Sequence, residues 1–229
     1  TRGAIAPTNT LGVPSVAAQS RALRVPVAVA GAKMGVELFG SQGSRSPLVN
    51  WYLYELGTPF EMAPRDRNPH PFGQVPCLKD GTVEIFESGA ILLYLAQKYG
   101  GLSTPEAMAD VTKWVVWANS ALDPILFLEN ERGQVIGTRM TQNPKGIQVL
   151  EAMLGDGREW ICGSTFSVAD VAVGAYLLYM PQFFPDLDVS VWPNMSKYML
   201  RCAQRPAYAK AYEKETPSII AKCQSYLKK

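Results

Sequence analysis

The chain has one histidine and four cysteines in 229 residues, and that scarcity sets the first limits on its chemistry. Cys77, Cys162, Cys202 and Cys223 lie far apart, with no C-x-x-C pair and no regular spacing. Neither a disulfide framework nor a zinc site is expected from them. His70 has no nearby partners that spell a Ser-His-Asp or Cys-His arrangement, and transition-metal catalysis lacks its ligand cluster. No apolar run reaches the roughly 18 residues that a membrane-spanning helix needs. There is also no basic patch interleaved with aromatics. Lys and Arg number 22 against 20 Asp and Glu, a net charge of +2, so nucleic acid is not the expected partner.

What is present is an ordinary globular composition, 47% hydrophobic and 18% charged, with the charge unevenly placed. Residues 1–34 contain Arg2, Arg21, Arg24 and Lys33 and no acid, with abundant Ala, Val, Ser and Thr. This composition is that of an organellar transit peptide, and Val27-Ala28-Val29-Ala30 before Gly31 is similar to a plastid processing site. The other reading of this segment is a disordered tail without an address. A chloroplast stromal protein is expected from the first reading, with mitochondrion or cytoplasm as alternatives.

From Gly35 the texture changes. Val36 to Phe39 alternates as a short strand, and Pro47 opens a helix that runs from Leu48 to Leu56 with Gly57 as its C-cap. Thr58 to Met62 reads as an edge strand, because Pro59 cannot donate to a ladder. Three prolines exclude regular structure from residues 63–73. Two alternating runs around Asp80-Gly81 predict a hairpin, and Glu87-Ser88 leads into a helix that ends at Gly100-Gly101. After Gly101 no strand is expected. Helices are predicted from Thr104 (kinked at Pro124), over 139–154, from Ser167 to about Met180, from Pro193, and after Pro206. The chain therefore divides into a targeting-like segment (1–34), an α/β thioredoxin-like domain (35–100) and an all-α helical bundle (105–229).

Two short motifs carry the chemistry. In Gln74-Val75-Pro76 the proline at a strand start is a candidate cis peptide. Such a turn exposes the backbone N–H and C=O of Val75 to an extended peptide. Eleven residues on, Glu87-Ser88 opens a helix whose free N–H groups and dipole suit a carboxylate, while Glu87 can accept from an ammonium. A peptide edge beside a zwitterion receptor describes a short peptide with a free α-amino acid end, and glutathione is such a ligand. Taken alone, the first motif reads as an ordinary trans proline in a loop and the second as a plain helix cap; it is the pairing that points to a ligand.

With these residues in view, Asn68-Pro69, Phe72 to Pro76 and Phe86 to Ala96 resemble the glutathione-binding region of glutathione transferases. Ser164 to Val171 resembles that family's C-terminal capping motif, in which Ser167 and Asp170 make a capping box. Ser44-Arg45 with Val49 to Gly57 looks most like the cyanobacterial chi-type members. The resemblance spans residues 35 to about 215. It implies conjugation of glutathione thiolate to a small electrophile, with glutathione as co-substrate, no metal, and a homodimer. Gln74, Val75, Pro76, Glu87 and Ser88 would hold glutathione.

Two departures shape the expected site. The family's activating position falls on Gly43, so Ser44 and Arg45 are the candidate thiolate stabilisers. Ser44 reads equally as a helix cap, and Arg45 as a solvated or domain-bridging cation. The second helix is missing from the stretch before Gln74, leaving His70, Arg65 or Arg67 to hold glutathione's glycine end. No cysteine occupies residues 40–47, which excludes thiol-transfer relatives, and Cys77 reads as a buried filler. The rival function is a non-catalytic member of the fold that serves as an interaction or assembly subunit of an organellar complex.

Overall fold

The computed structural model describes residues 35–228; the segment read as a transit peptide lies outside the described residues. Strand β1 (Val36–Phe39) leads through a serine-rich loop into α1 (Ser46–Leu56). The chain returns as β2 (Phe60–Ala63), parallel to β1, then β3 (Cys77–Asp80), β4 (Val83–Phe86) and α2 (Ser88–Lys98). The sheet order is β2-β1-β3-β4, with β3 antiparallel to both neighbours. This is the thioredoxin-like arrangement, with β2 on the edge between Pro59 and Pro64. Gly57 takes φ +61°, the left-handed C-cap that stops α1. The proline-rich stretch forms only a single 3-10 turn at Arg65–Arg67, so the second helix is absent, as expected.

The hairpin is tied to α2 by one carboxylate. Asp80 Oδ2 accepts from Lys98 Nζ at 2.6 Å, Tyr99 at 2.7 Å and Tyr94 at 3.0 Å. Burial alone would raise the Asp80 carboxyl, but these donors outweigh it and hold it below its ordinary value. A depressed carboxyl contributes stability above its unfolded pKa of about 3.9, and that stability disappears as pH falls through the folded value. Asp80→Asn is therefore expected to lower stability by about 1 kcal/mol at pH 7, given that Lys98 is partly solvated. Urea titrations at pH 7 and pH 3 should show that difference shrinking towards zero in acid. An equal difference at both values would refute the ionic part of the account.

The remainder is helical: α3 (Pro105–Trp117), α4 (Asp123–Leu126), α5 (Lys145–Leu154), α6 (Val168–Phe183), α7 (Pro193–Ala203), α8 (Pro206–Tyr212) and α9 (Thr216–Tyr226). Thr104 caps α3, accepting from Ala107 N–H. The expected kink at Pro124 takes the form of a π-helical turn, Ala118–Leu122, which joins α3 to α4. Two expectations need correction. Strands do occur after Gly101: β5 (Leu128–Glu129) and β6 (Val135–Gly137) form a small hairpin. They are two and three residues long, too short to show alternation. The segment after Pro206 is two helices, because the chain turns at Glu213 (φ +34°) before Pro217 starts α9.

Helix α6 is buried along almost its whole length, which suits a sequence apolar on every face. Asp170 in its first turn is fully buried. It completes the predicted capping box with Ser167 and also accepts from Ile161 N–H (2.8 Å) and Tyr198 O–H (3.1 Å). The sheet-bearing and helical halves pack as one compact unit. Trp51 of α1 is fully buried and lies edge-on to Tyr208 of α8 at 5.1 Å. Glu55 of α1 accepts from Trp51 Nε1 at 2.8 Å and from both ends of the Arg205 fork, at 2.6 and 2.8 Å. Close contact with α6 requires a glycine: a Cβ on Gly174 would sit 2.9 Å from Cys202 Sγ.

Candidate functional site

The topology gathers three loops at one end of the sheet. The β1–β3 ladder pairs Phe39 with Cys77, and the β3–β4 ladder pairs Cys77 with Phe86. One step beyond those rungs stand Gly40, Pro76 and Glu87. The antiparallel register therefore brings the Val75-Pro76 pair opposite Glu87-Ser88, although eleven residues separate the motifs. The Val75-Pro76 bond is cis. Just before it, the Gln74 side chain is exposed and its carbonyl accepts from Asn68 Nδ2 at 2.8 Å.

Glu87 is exposed and adopts φ +68°, ψ 120° immediately before α2. A non-glycine residue there carries about 1–3 kcal/mol of local strain, a feature that concentrates at binding sites. Its side chain makes no capping hydrogen bond to α2, so the carboxylate stands free of the helix it precedes. Ser88 is buried, at 5% exposure. The first N–H groups of α2 meet the π-helical turn of the other half. The Asn119 amide, oriented to satisfy both its groups, accepts from Gly89 N–H and donates to Val115 C=O, each at 3.3 Å. The same amide lies 3.3 Å from Ser88 Oγ. Gly89 has to be glycine here, since a Cβ would sit 2.9 Å from the Asn119 amide and 3.3 Å from Val115.

The loop after β1 holds the two candidate activating residues, which point in different directions. Ser44 Oγ donates to Ser41 C=O (2.8 Å) and accepts from Ser46 Oγ–H (2.7 Å) and from Ser46 N–H (3.1 Å). Ser44 thus braces the start of α1 from two residues upstream. Gly40 allows this knot, because a Cβ there would fall 2.5 Å from Ser46. Arg45 crosses to the helical half and donates to Asp123 Oδ1 at 2.6 Å. Its guanidinium lies 5.5, 5.3 and 5.9 Å from the ring centres of Phe127, Tyr176 and Tyr179. Burial alone would lower the Arg45 pKa, but Asp123 and then Tyr176 overcome it and hold the cation firmly protonated. Of the alternatives left open by the sequence, Arg45 is the domain-bridging cation.

Tyr176 of α6 is buried with its ring 5.3 Å from the Arg45 guanidinium, and burial raises its hydroxyl pKa. Asn119 and Asp123 are the residues that sequence reasoning missed. Pro124 was the available signal, since it marked an irregular turn without saying which side chains the turn would aim at the sheet. Below them, Tyr212 donates to Tyr179 (3.0 Å), and Tyr179 donates to Ser44 C=O (3.4 Å).

His70 is buried and accepts the Phe72 N–H at Nδ1 (3.1 Å), with its ring 4.6 Å from that of Phe86. It buckles the proline-rich loop onto β4. Arg65 and Arg67 are exposed, and Arg67 lies 4.0 Å from Glu37. Cys77 is buried, and desolvation raises its thiol pKa, as suits a filler. Ser167 and Asp170 serve the fold rather than the cleft.

Comparison with known proteins agrees with this geometry. Residues 34–97 match the family model described as glutathione S-transferase, N-terminal domain, and residues 107–206 match the C-terminal domain of the same family. The chain is 28% identical over 162 residues to glutathione S-transferase GstB of Escherichia coli K12, covering 62% of this chain and 74% of that protein. It is 26% identical over 210 residues to a glutathione S-transferase of Hyoscyamus muticus, covering 79% and 99%. A glutathione transferase from Burkholderia graminis, solved with two glutathione molecules bound per subunit, superposes with a TM-score of 0.66 at 24% identity, over 79% of this chain and 88% of that one.

Proposed function

Since this chain belongs to the glutathione S-transferase family, we propose that it binds glutathione at the Val75/Glu87 end of the sheet and transfers its thiolate to a small electrophile. The supporting observation is the convergence of the cis Val75-Pro76 edge with Glu87 and Ser88 at one sheet end. Glutathione's peptide backbone would pair with the N–H and C=O of Val75 as a short added strand, beside Gln74. Its γ-glutamyl carboxylate would meet the N-terminus of α2 and the Ser88 hydroxyl, and its ammonium would meet Glu87. This places the cysteinyl sulfur near the loop after β1. There Ser44 is the better thiolate donor of the two candidates, since the Arg45 charge is matched by Asp123. To serve the sulfur, the Ser44 proton turns from Ser41 C=O. The proposal extends to a chi-like member of the family, a homodimer, and delivery to the plastid stroma on the composition of residues 1–34.

The rival reading, a non-catalytic assembly subunit, draws support from Gly43 and from the local bonds that already occupy Ser44. Two measurements separate the readings. The protein should be retained on immobilised glutathione and released by free glutathione; failure to bind removes the proposed function. With 1-chloro-2,4-dinitrobenzene as electrophile, Ser44→Ala should lower kcat about 100-fold, the low end for loss of one oriented donor. The glutathione Kd should move less than threefold. Retention without turnover by the natural sequence would favour the assembly subunit.

A further inference from the structure

The Arg45 guanidinium has five N–H donors in a planar fork. From Nη2 it donates to Asp123 Oδ1 at 2.6 Å, and the Tyr176 ring faces it at 5.3 Å. The side chain keeps 28% of its surface open and Asp123 keeps 25%, so the pair is partly open to solvent where the two halves meet. The rings packed against it are almost fully buried: Phe127, Tyr176 and Tyr179 are 3–5% exposed. Beyond them Phe183 is 48% exposed and meets Phe127 edge-on at 5.2 Å. This place therefore combines a partly buried cation that has spare donors with an exposed aromatic face near it.

The position relates this feature to the proposed chemistry. Arg45 follows Ser44 in the loop at the sheet end where Pro76 and Glu87 converge. A group held on the open edge of Arg45 would therefore lie beside the candidate thiolate donor. A second carboxylate can share the fork with Asp123, because a guanidinium accepts carboxylates on two edges at once. A neutral ring gains no such contact.

We infer that Arg45 selects an anionic aromatic electrophile, holding its carboxylate on the open edge of the guanidinium while Phe183 takes the ring. This inference rests on the glutathione-transferase reading. A model reaction uses 4-chloro-3-nitrobenzoate. The glutathione thiolate forms a C–S bond at the chlorine-bearing carbon, the C–Cl bond breaks, chloride leaves with the electron pair, and the thiol proton passes to solvent.

The test compares shape-matched ligands that differ in charge. Binding of unreactive 3-nitrobenzoate and 3-nitrobenzamide, followed by calorimetry without glutathione, should favour the benzoate at least tenfold. Arg45→Met should bring the two within twofold. Asp123→Asn, which frees more of the fork, should tighten the benzoate several-fold. It also keeps the test decisive if Arg45→Met fails to fold. In turnover, KM for 4-chloro-3-nitrobenzoate should lie well below that for the corresponding amide. Equal affinity for the two nitro compounds, or a preference that survives Arg45→Met, overturns the anion site. That result leaves the glutathione reading standing if the protein is retained on immobilised glutathione. Loss of that retention with the benzoate preference intact would overturn the glutathione reading alone.

Discussion

Glu87→Ala is expected to weaken glutathione binding roughly 30- to 100-fold, the effect of losing a charge-assisted contact of about 2–3 kcal/mol. Ala and Glu both carry a Cβ, so both bear the cost of φ +68° and the substitution isolates the carboxylate. Glu87→Gly separates binding from folding more sharply. It should lose binding to a similar degree while relieving about 1 kcal/mol or more of local strain, so the thermal midpoint should hold or rise. Calorimetric titration with glutathione and a melt of each variant provide both readings. An affinity within threefold of the unsubstituted protein in Glu87→Ala would remove the assigned ammonium contact. A lower midpoint in Glu87→Gly would show that the unusual backbone is set by the fold rather than tolerated for the ligand.

The largest loss of stability is expected at Asp170. Its carboxylate is fully buried and accepts from Ile161 N–H, Ser167 N–H and Tyr198 O–H at 2.8, 2.9 and 3.1 Å. Asp170→Ala leaves those donors in a dry interior, at about 1–3 kcal/mol for each unsatisfied group and without strict additivity. A total of about 3–5 kcal/mol follows, which for a domain of this size lowers the melting midpoint by roughly 6–20 °C. Burial outweighs the donors and holds the Asp170 carboxyl above its ordinary value. The folded state thus binds that proton more tightly than the unfolded one, and the stability this adds is full below the unfolded pKa and lost as pH rises through the folded one. Differential scanning calorimetry at pH 7 checks the main claim. A midpoint within 3 °C of the unsubstituted protein would mean that α6 does not depend on its capping box.

These two residues were visible in the sequence because each acts through its own neighbourhood. Ser167 and Asp170 sit three apart, the spacing that lets a side chain return to its own helix cap. Glu87-Ser88 lies where a strand gives way to an apolar helical stripe. Asp80-Gly81 and Gly57 announced their turns for the same reason: a glycine at positive φ is a local requirement. The short hairpin at Leu128–Gly137 gave no comparable sign, since strands of two and three residues cannot display a period.

The strands and helices of residues 35–100, the peptide edge at Val75-Pro76 and the cap of α6 could be inferred from neighbouring residues, because backbone geometry and hydrogen bonding within a few positions dictate them. The partners of the cleft could not. Arg45 meets Asp123 across 78 positions, Ser88 meets Asn119 across 31, and Tyr176 meets Arg45 from the middle of α6. Those meetings depend on how a π-helical turn is rotated when α3 packs against α2, and that rotation follows from the shape of a whole core rather than from any run of residues.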